Sequence, residues 1–157
     1  MGDHRWDKAL TTTGMRRLVA EARVARLATT EADGRPHLVP LCFVLEGDVL
    51  YSAVDRKPKS SPRLKRLENV ALHPQVTLIV DHYEEDWSRL WWVRLRGTAR
   101  VLDEGAEHDR ALSLLAAKYE QYRSEPPPGP VLAVALDEWR GWSALPEAFD
   151  DDPGGVP

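Results

Sequence analysis

Apolar residues recur along this chain in two rhythms. Between residues 11 and 23, Met15, Leu18, Val19 and Ala22 fall at helical spacing behind Thr11, Thr12 and Thr13, residue types that cap helix N-termini. From Val24 the rhythm becomes alternation, with Ala25, Leu27 and Thr29 set against Arg26, Ala28 and Thr30 until Glu31-Ala32-Asp33-Gly34. The Asp-Gly pair predicts a hairpin turn with glycine at positive φ. A second strand is expected over Pro36 to Leu45 and a third over Val49 to Val54, after Glu46-Gly47-Asp48, so that three strands read as a meander. The segment 55–62, DRKPKSSP, breaks the pattern, and a helix is expected from Pro62 to about Val70 with Leu64 and Leu67 facing inward. Strand character returns at Val76 to Tyr83. It is clearest from Leu90 to Leu102, where Trp91, Val93, Leu95, Gly97, Ala99 and Val101 oppose Arg94, Arg96, Thr98 and Arg100. Residues 105–123 read as a helix with Leu112, Leu115, Ala116 and Tyr119 on one stripe, ended by Pro126-Pro127-Pro128. A last strand from Val131 to about Leu136 leads into Glu138-Trp139-Arg140-Gly141-Trp142.

Consecutive hairpins with short turns predict an antiparallel sheet, and six or more strands in so short a chain favour a closed or nearly closed barrel. The expected fold class is mainly β (α+β), a six- to seven-stranded antiparallel β-barrel with flanking helices. A length of 157 residues fits one core, here residues 1–145, followed by a Pro/Gly/Asp tail over 146–157 expected to be disordered.

Composition narrows the function. A hydrophobic fraction of 43% and a charged fraction of 29% suit a folded globular chain. The net charge of −4 comes from Glu147, Asp150, Asp151 and Asp152; without them 21 acidic side chains balance 21 basic ones. No general field then attracts nucleic acid or anionic lipid, and neither is expected as a partner. Cys42 is the only cysteine, which excludes an intramolecular disulfide and a Cys-x-x-Cys pair. No apolar run reaches the ~18 residues of a membrane span and MGDHRWDKAL lacks an apolar signal core, so a cytoplasmic location is expected.

The segment Asp55 to Arg63 brings cations to the start of the expected second helix, with Ser61 as N-cap and Pro62 in its first position. Cations there oppose the helix dipole unless an anion docks, so the segment reads either as a phosphate site or as a solvated basic loop. The five histidines show no metal-ligand spacing, and no Gly-x-Ser-x-Gly elbow is present. His37 and His82 are retained as proton-donor candidates because they sit on strands. Cys42 reads as a small apolar residue. Trp91 and Trp92, adjacent on a strand, must point to opposite faces, and read either as one filling the core while the other meets a ring or a partner, or as two ordinary packing or dimer-contact residues.

The order and spacing of Ala25-Arg26-Leu27-Ala28-Thr29-Thr30, Asp33-Gly34-Arg35-Pro36-His37-Leu38-Val39-Pro40, Leu50-Tyr51-Ser52-Ala53, the basic loop and Leu72-His73-Pro74-Gln75-Val76-Thr77-Leu78 resemble the pyridoxamine-phosphate-oxidase-like split-barrel superfamily. Within it, the likeness is to the deazaflavin-dependent oxidoreductases that use coenzyme F420, over roughly residues 14–143. The resemblance narrows the barrel to a split β-barrel of FMN-binding type and implies a homodimer with its cofactor groove at the interface. It places Val39, Pro40, Leu41 and Cys42 beside the ring, Ser52, Ala53 and Val54 flanking it with backbone groups, Lys57, Lys59, Ser60 and Arg63 at the phosphate, and Trp91 and Trp92 where the partner closes the groove. The implied activity is hydride transfer from reduced F420 to an unsaturated small-molecule acceptor. An FMN-dependent oxidase or reductase and a non-catalytic cofactor-binding or storage protein are the alternatives. Arg94, Arg96 and Arg100 read either as a site for the acidic F420 tail or as a solvated face with cross-strand ion pairs.

Overall fold

The computed structural model describes residues 10–54, 64–146 and 149. Its elements run α1 (Thr12–Glu21), β1 (Ala25–Thr30), β2 (Pro36–Leu41), β3 (Val44–Glu46), β4 (Val49–Ala53), α2 (Lys65–Leu72), β5 (Gln75–His82), β6 (Trp91–Leu102), α3 (Ala106–Lys118), α4 (Glu120–Ser124) and β7 (Val131–Ser143), with a 3-10 turn at Trp87–Arg89. The seven strands form one antiparallel sheet in the order β2-β1-β5-β6-β7-β4-β3. Thr11 caps α1 through its Oγ1, which accepts from the Gly14 N–H at 3.1 Å. The β1–β2 turn places Gly34 at φ 91, a conformation that a side chain would strain.

The run Pro36 to Leu45, expected as one strand, is two. β2 pairs with β1 and β3 with β4, at opposite edges of the sheet, so two separate hairpins replace the meander. Cys42 and Phe43 alone join them. The cause lies at Phe43, whose side chain is fully buried and whose N–H donates to the Tyr119 hydroxyl at 3.1 Å instead of to a strand. Leu41 and Val44 are three residues apart, so the two edges come within about 10 Å there. No ladder joins β2 to β3 among the described residues, and the sheet is a barrel that stays split. As an edge strand, β2 tolerates Pro36 and Pro40, which cannot donate to a ladder.

Three other elements depart from expectation. The helix after the basic segment starts at Lys65, with extended Leu64 as its N-cap and no side-chain cap bond, while the expected cap Ser61 and first position Pro62 lie outside the described residues. Leu64 packs on the core in extended form just before the first helical turn. The long helix breaks at Tyr119, whose hydroxyl bonds to Phe43 and Arg23. β7 runs on to Ser143 because a register shift against Arg96 and Gly97 leaves Asp137 as an extra residue, after which pairing resumes at Glu138.

One apolar cluster fills the barrel, with Leu27, Phe43, Leu50, Leu78, Val93, Leu95 and Leu132 at its centre and α1 and α2 closing it through Met15, Val19, Leu67 and Val70. A second lies outside the sheet, where Ala111 and Leu115 of α3 cover Tyr51, Ala53, Val131 and Ala133. Ion pairs tie α3 down: Arg110 to Glu46 and Arg100 to Glu107, which also accepts from the Tyr51 hydroxyl at 2.9 Å. The bond from Arg100, and then that from Tyr51, holds the Glu107 carboxyl down to about 2. Because this lies below the unfolded value of 4.5, Glu107 stabilises the fold fully above about pH 4.5 and progressively less as pH falls towards 2. The urea midpoint of Glu107→Gln is therefore expected to fall less than that of the parent chain between pH 4.5 and 2.5. No described helix is long and apolar enough to cross a membrane.

Candidate functional site

Strand registers define an outer surface on the side of the barrel away from α3. One row runs Leu38, Ala28, Thr77, Arg96 and Glu138; the next Pro40, Arg26, Ile79, Arg94 and Arg140; the third Asp81, Trp92 and Trp142. None of α1 to α4 covers this surface, and Leu38 stands 68% exposed. An antiparallel sheet tolerates water on one face, but Leu38, Pro40, Ile79 and Trp92 are not residues that water favours.

At the β5–β6 end of this surface two cavities adjoin. One, of about 270 Å³, is lined by Ile79, Asp81, His82, Tyr83, Leu90, Trp91, Trp92 and Trp142. The other, of about 430 Å³, is lined by His82, Ser88, Arg89, Trp91, Leu145 and Phe149. Their shared wall is the cross-strand pair His82–Trp91, stacked with ring centroids 6.4 Å apart. Trp91 turns inward to the barrel core and meets Phe149 edge-on at 6.5 Å, whereas Trp92 lies on the outer surface with Arg94 over its ring. Their opposite orientations are those required by the strand period. Glu84 holds this corner, 2.5 Å from His82 Nε2 and 3.3 Å from Arg89 Nε. Flat indole faces beside a polar rim suit a flat conjugated ring carrying hydrogen-bonding edges.

The other residues expected at a cofactor lie elsewhere. Ser52 Oγ donates to the Cys42 carbonyl at 2.7 Å, so β4 and the end of β2 do meet at the split. The side chains there are covered: Leu41, Ser52 and Val54 are buried on the barrel side with Val39 packed on that core, and Ala53 and Cys42 lie in the cluster beneath α3. Backbone groups and Pro40 are what this region presents. On β7, Ser52 faces Leu132, which faces Val101 of β6, nine residues from Trp92. That is roughly 30 Å along β6, but round the other side of the barrel Pro40 leads through Arg26 and Ile79 to Arg94, two residues from Trp92, so three strand spacings, roughly 15 Å, separate the two groups on one chain. His37 pairs with Thr29 near the far end of β1, away from His82, and its buried Nδ1 has no partner among the described residues. The histidines therefore belong to different ends of the barrel. Lys57, Lys59, Ser60 and Arg63 lie outside the described residues.

Sequence reasoning missed Lys118. Its Nζ donates to the Ala22 carbonyl at 2.6 Å and sits 4.0 Å from the Phe43 ring centroid, and burial, then Arg23, pull its pKa down to about 8. A lysine in the last turn of a helix has an ordinary explanation in the helix dipole, so no signal set it apart.

The fold is shared with solved structures of low sequence identity. A conserved hypothetical protein from Mycobacterium tuberculosis superposes with a TM-score of 0.74 at 16% identity, covering 96% of this chain and 95% of its own. An FAD-binding protein from Mycobacterium smegmatis gives 0.57 at 23%, covering 85% and 95%. The heme storage protein HutZ from Vibrio cholerae gives 0.63 at 13%, covering 82% and 92%. No curated protein matches the sequence. The sequence pattern of the family described as pyridoxamine 5'-phosphate oxidase matches residues 11–143, from the cap of α1 to the end of β7, and the chain belongs to that family.

Proposed function

We propose that this chain is a cytoplasmic, cofactor-dependent oxidoreductase that works as a homodimer, with F420 as cofactor and an unsaturated small organic molecule as acceptor. The observation that carries the reading is the division of the expected cofactor residues into two groups three strands apart on one chain, with the uncovered outer surface between them. A two-fold partner seated on the uncovered outer surface supplies to each groove the group that its own chain holds three strands away. The exposed Leu38 and Pro40 give that surface an apolar edge strand. Reduced deazaflavin supplies a hydride when bound. The chain's part is to hold the ring: Trp91 and Trp92 wall the groove, backbone groups of Val39 to Cys42 and of Ser52 to Val54 line its other side, and the dimer contact excludes water. His82, fixed by Glu84, is the proton source at the groove. The choice of F420 over FMN rests on the resemblance in sequence, and FMN is the second reading, supported by the FAD-binding relative.

Fluorescence titration with F420 and, separately, FMN tests the cofactor, and sedimentation equilibrium tests the dimer. Tighter binding of F420 than FMN is expected, by a dimer. Leu38→Asp, at a solvent-facing position, is expected to give a folded monomer that has lost cofactor affinity. A parent chain that is monomeric yet binds either cofactor would sink the shared groove, and one that binds neither would sink the oxidoreductase. Turnover with an acceptor separates the enzyme from a storage protein.

A further inference from the structure

On the outer surface of β6 and β7 three cross-strand pairs succeed one another: Trp92 with Trp142, Arg94 with Arg140, and Arg96 with Glu138. Two arginines directly opposite on one sheet face repel each other, and such pairs persist where an anion lies between or above them. Only one carboxylate of this ladder serves three guanidinium groups. Glu138 accepts from Arg140 Nε at 2.9 Å and faces Arg96 at 3.4 Å; the bond from Arg140, then the charges of Arg96, Arg140 and, at longer range, Arg94, hold its carboxyl below the ordinary range. The nearest other acid on the surface, Asp81, is taken by Arg26 at 3.0 Å. Half-buried Arg94 is left with the Trp92 ring, 6.0 Å from its guanidinium carbon, and with no carboxylate bond among the described residues. The arginine row thus divides: Arg96 shares Glu138 with Arg140, Arg100 has Glu107, and Arg94 has no ion pair among the described residues and feels Glu138 only at longer range. The unsatisfied fork adjoins an indole pair that lines the 270 Å³ cavity.

We propose that Arg94 and Arg140 form a recognition site for the carboxylate or phosphate of a flat-ring ligand whose ring lies on the neighbouring Trp92–Trp142 pair. An arginine fork matches such a group in two parallel hydrogen bonds, and the indoles supply the apolar area that a free inorganic anion would leave unused. This deepens the reading above, since the anion belongs either to the cofactor's side chain or to the acceptor.

Titration of the full chain, followed by tryptophan fluorescence, compares FMN with riboflavin and 2-naphthoate with 2-naphthylmethanol. Each pair has one ring system, with and without the anion. Arg94→Ala and Arg140→Ala are each expected to weaken the anionic member of at least one pair about tenfold and leave the neutral member within about twofold, with Arg94→Lys in between. A loss confined to FMN assigns the site to the cofactor's side chain, and one confined to naphthoate assigns it to the acceptor. If naphthoate binds through Arg94 while no flavin or F420 binds at all, the site stands and the oxidoreductase reading falls. Equal binding of charged and neutral probes overturns the proposal. So does an Arg94→Ala chain that keeps every anion affinity, including one that loses dimer or thermal stability instead, since its arginines then serve the protein's own carboxylates.

Discussion

Replacing Phe43 by alanine is expected to remove about 3–5 kcal/mol of stability, the largest loss from any single side chain considered. Phe43 is fully buried at the one point where the two sheet edges meet, so the surrounding strands cannot collapse into the space without opening the split. The ring also roofs the Lys118 ammonium, 4.0 Å from its centroid, and its removal lets water reach a lysine whose pKa burial holds near 8. Two readouts follow. Thermal unfolding should come roughly 10 °C earlier, and the midpoint for Lys118 acylation against pH should move up towards that of an ordinary lysine. Tyr119→Phe separates the ring from the backbone bond. It leaves the Phe43 N–H without its acceptor and is expected to cost about 1–2 kcal/mol, with Lys118 still covered. A Phe43→Ala chain within about 1 kcal/mol of the parent would show that the split does not depend on this residue.

Gly97→Ala comes next, at about 3 kcal/mol. A Cβ at this position would stand 2.2 Å from the Ala135 carbonyl oxygen and 2.9 Å from its carbon. Those atoms are backbone of the neighbouring strand, at the register shift that the extra Asp137 creates, so relief means moving β7 itself. Gly129→Ala is the control, because its added Cβ finds only ordinary contacts of 3.5 Å and more around Val54. The control should stay within about 0.5 kcal/mol of the parent in urea unfolding. Equal stability of the two variants would mean that the strands at the bulge are freer to shift than their close contact implies.

These positions also mark where sequence reading succeeds and stops. The alternation of β6 is legible because one of its faces is a dry core and the other is wet, and the opposite orientations of Trp91 and Trp92 follow from the same period. The split of Pro36 to Leu45 is not legible, because Cys42 and Phe43 continue a β-like composition and the change of partner is made by Tyr119, 76 residues on. β7 reads as ending at Leu136 because Asp137 breaks the alternation, and only the cross-strand register restores it. At the site, His82, Trp91 and Trp92 are brought together as their strand positions suggest. The isolation of Arg94 within its row could not be read, since whether an arginine has an acid depends on what a distant strand places opposite it.

The same topology orders the birth of the molecule. β7 is bonded to β6 on one side and β4 on the other, yet it is the last of the seven strands to be synthesised. A nascent chain can form the β1–β2 and β3–β4 hairpins and extend the first to β5 and β6, but β4 has no place in the sheet until Val131–Ser143 arrives. Until then the emerging polypeptide carries two open ladders with apolar faces, the kind of edge to which chaperones bind and through which unfinished chains stick to one another.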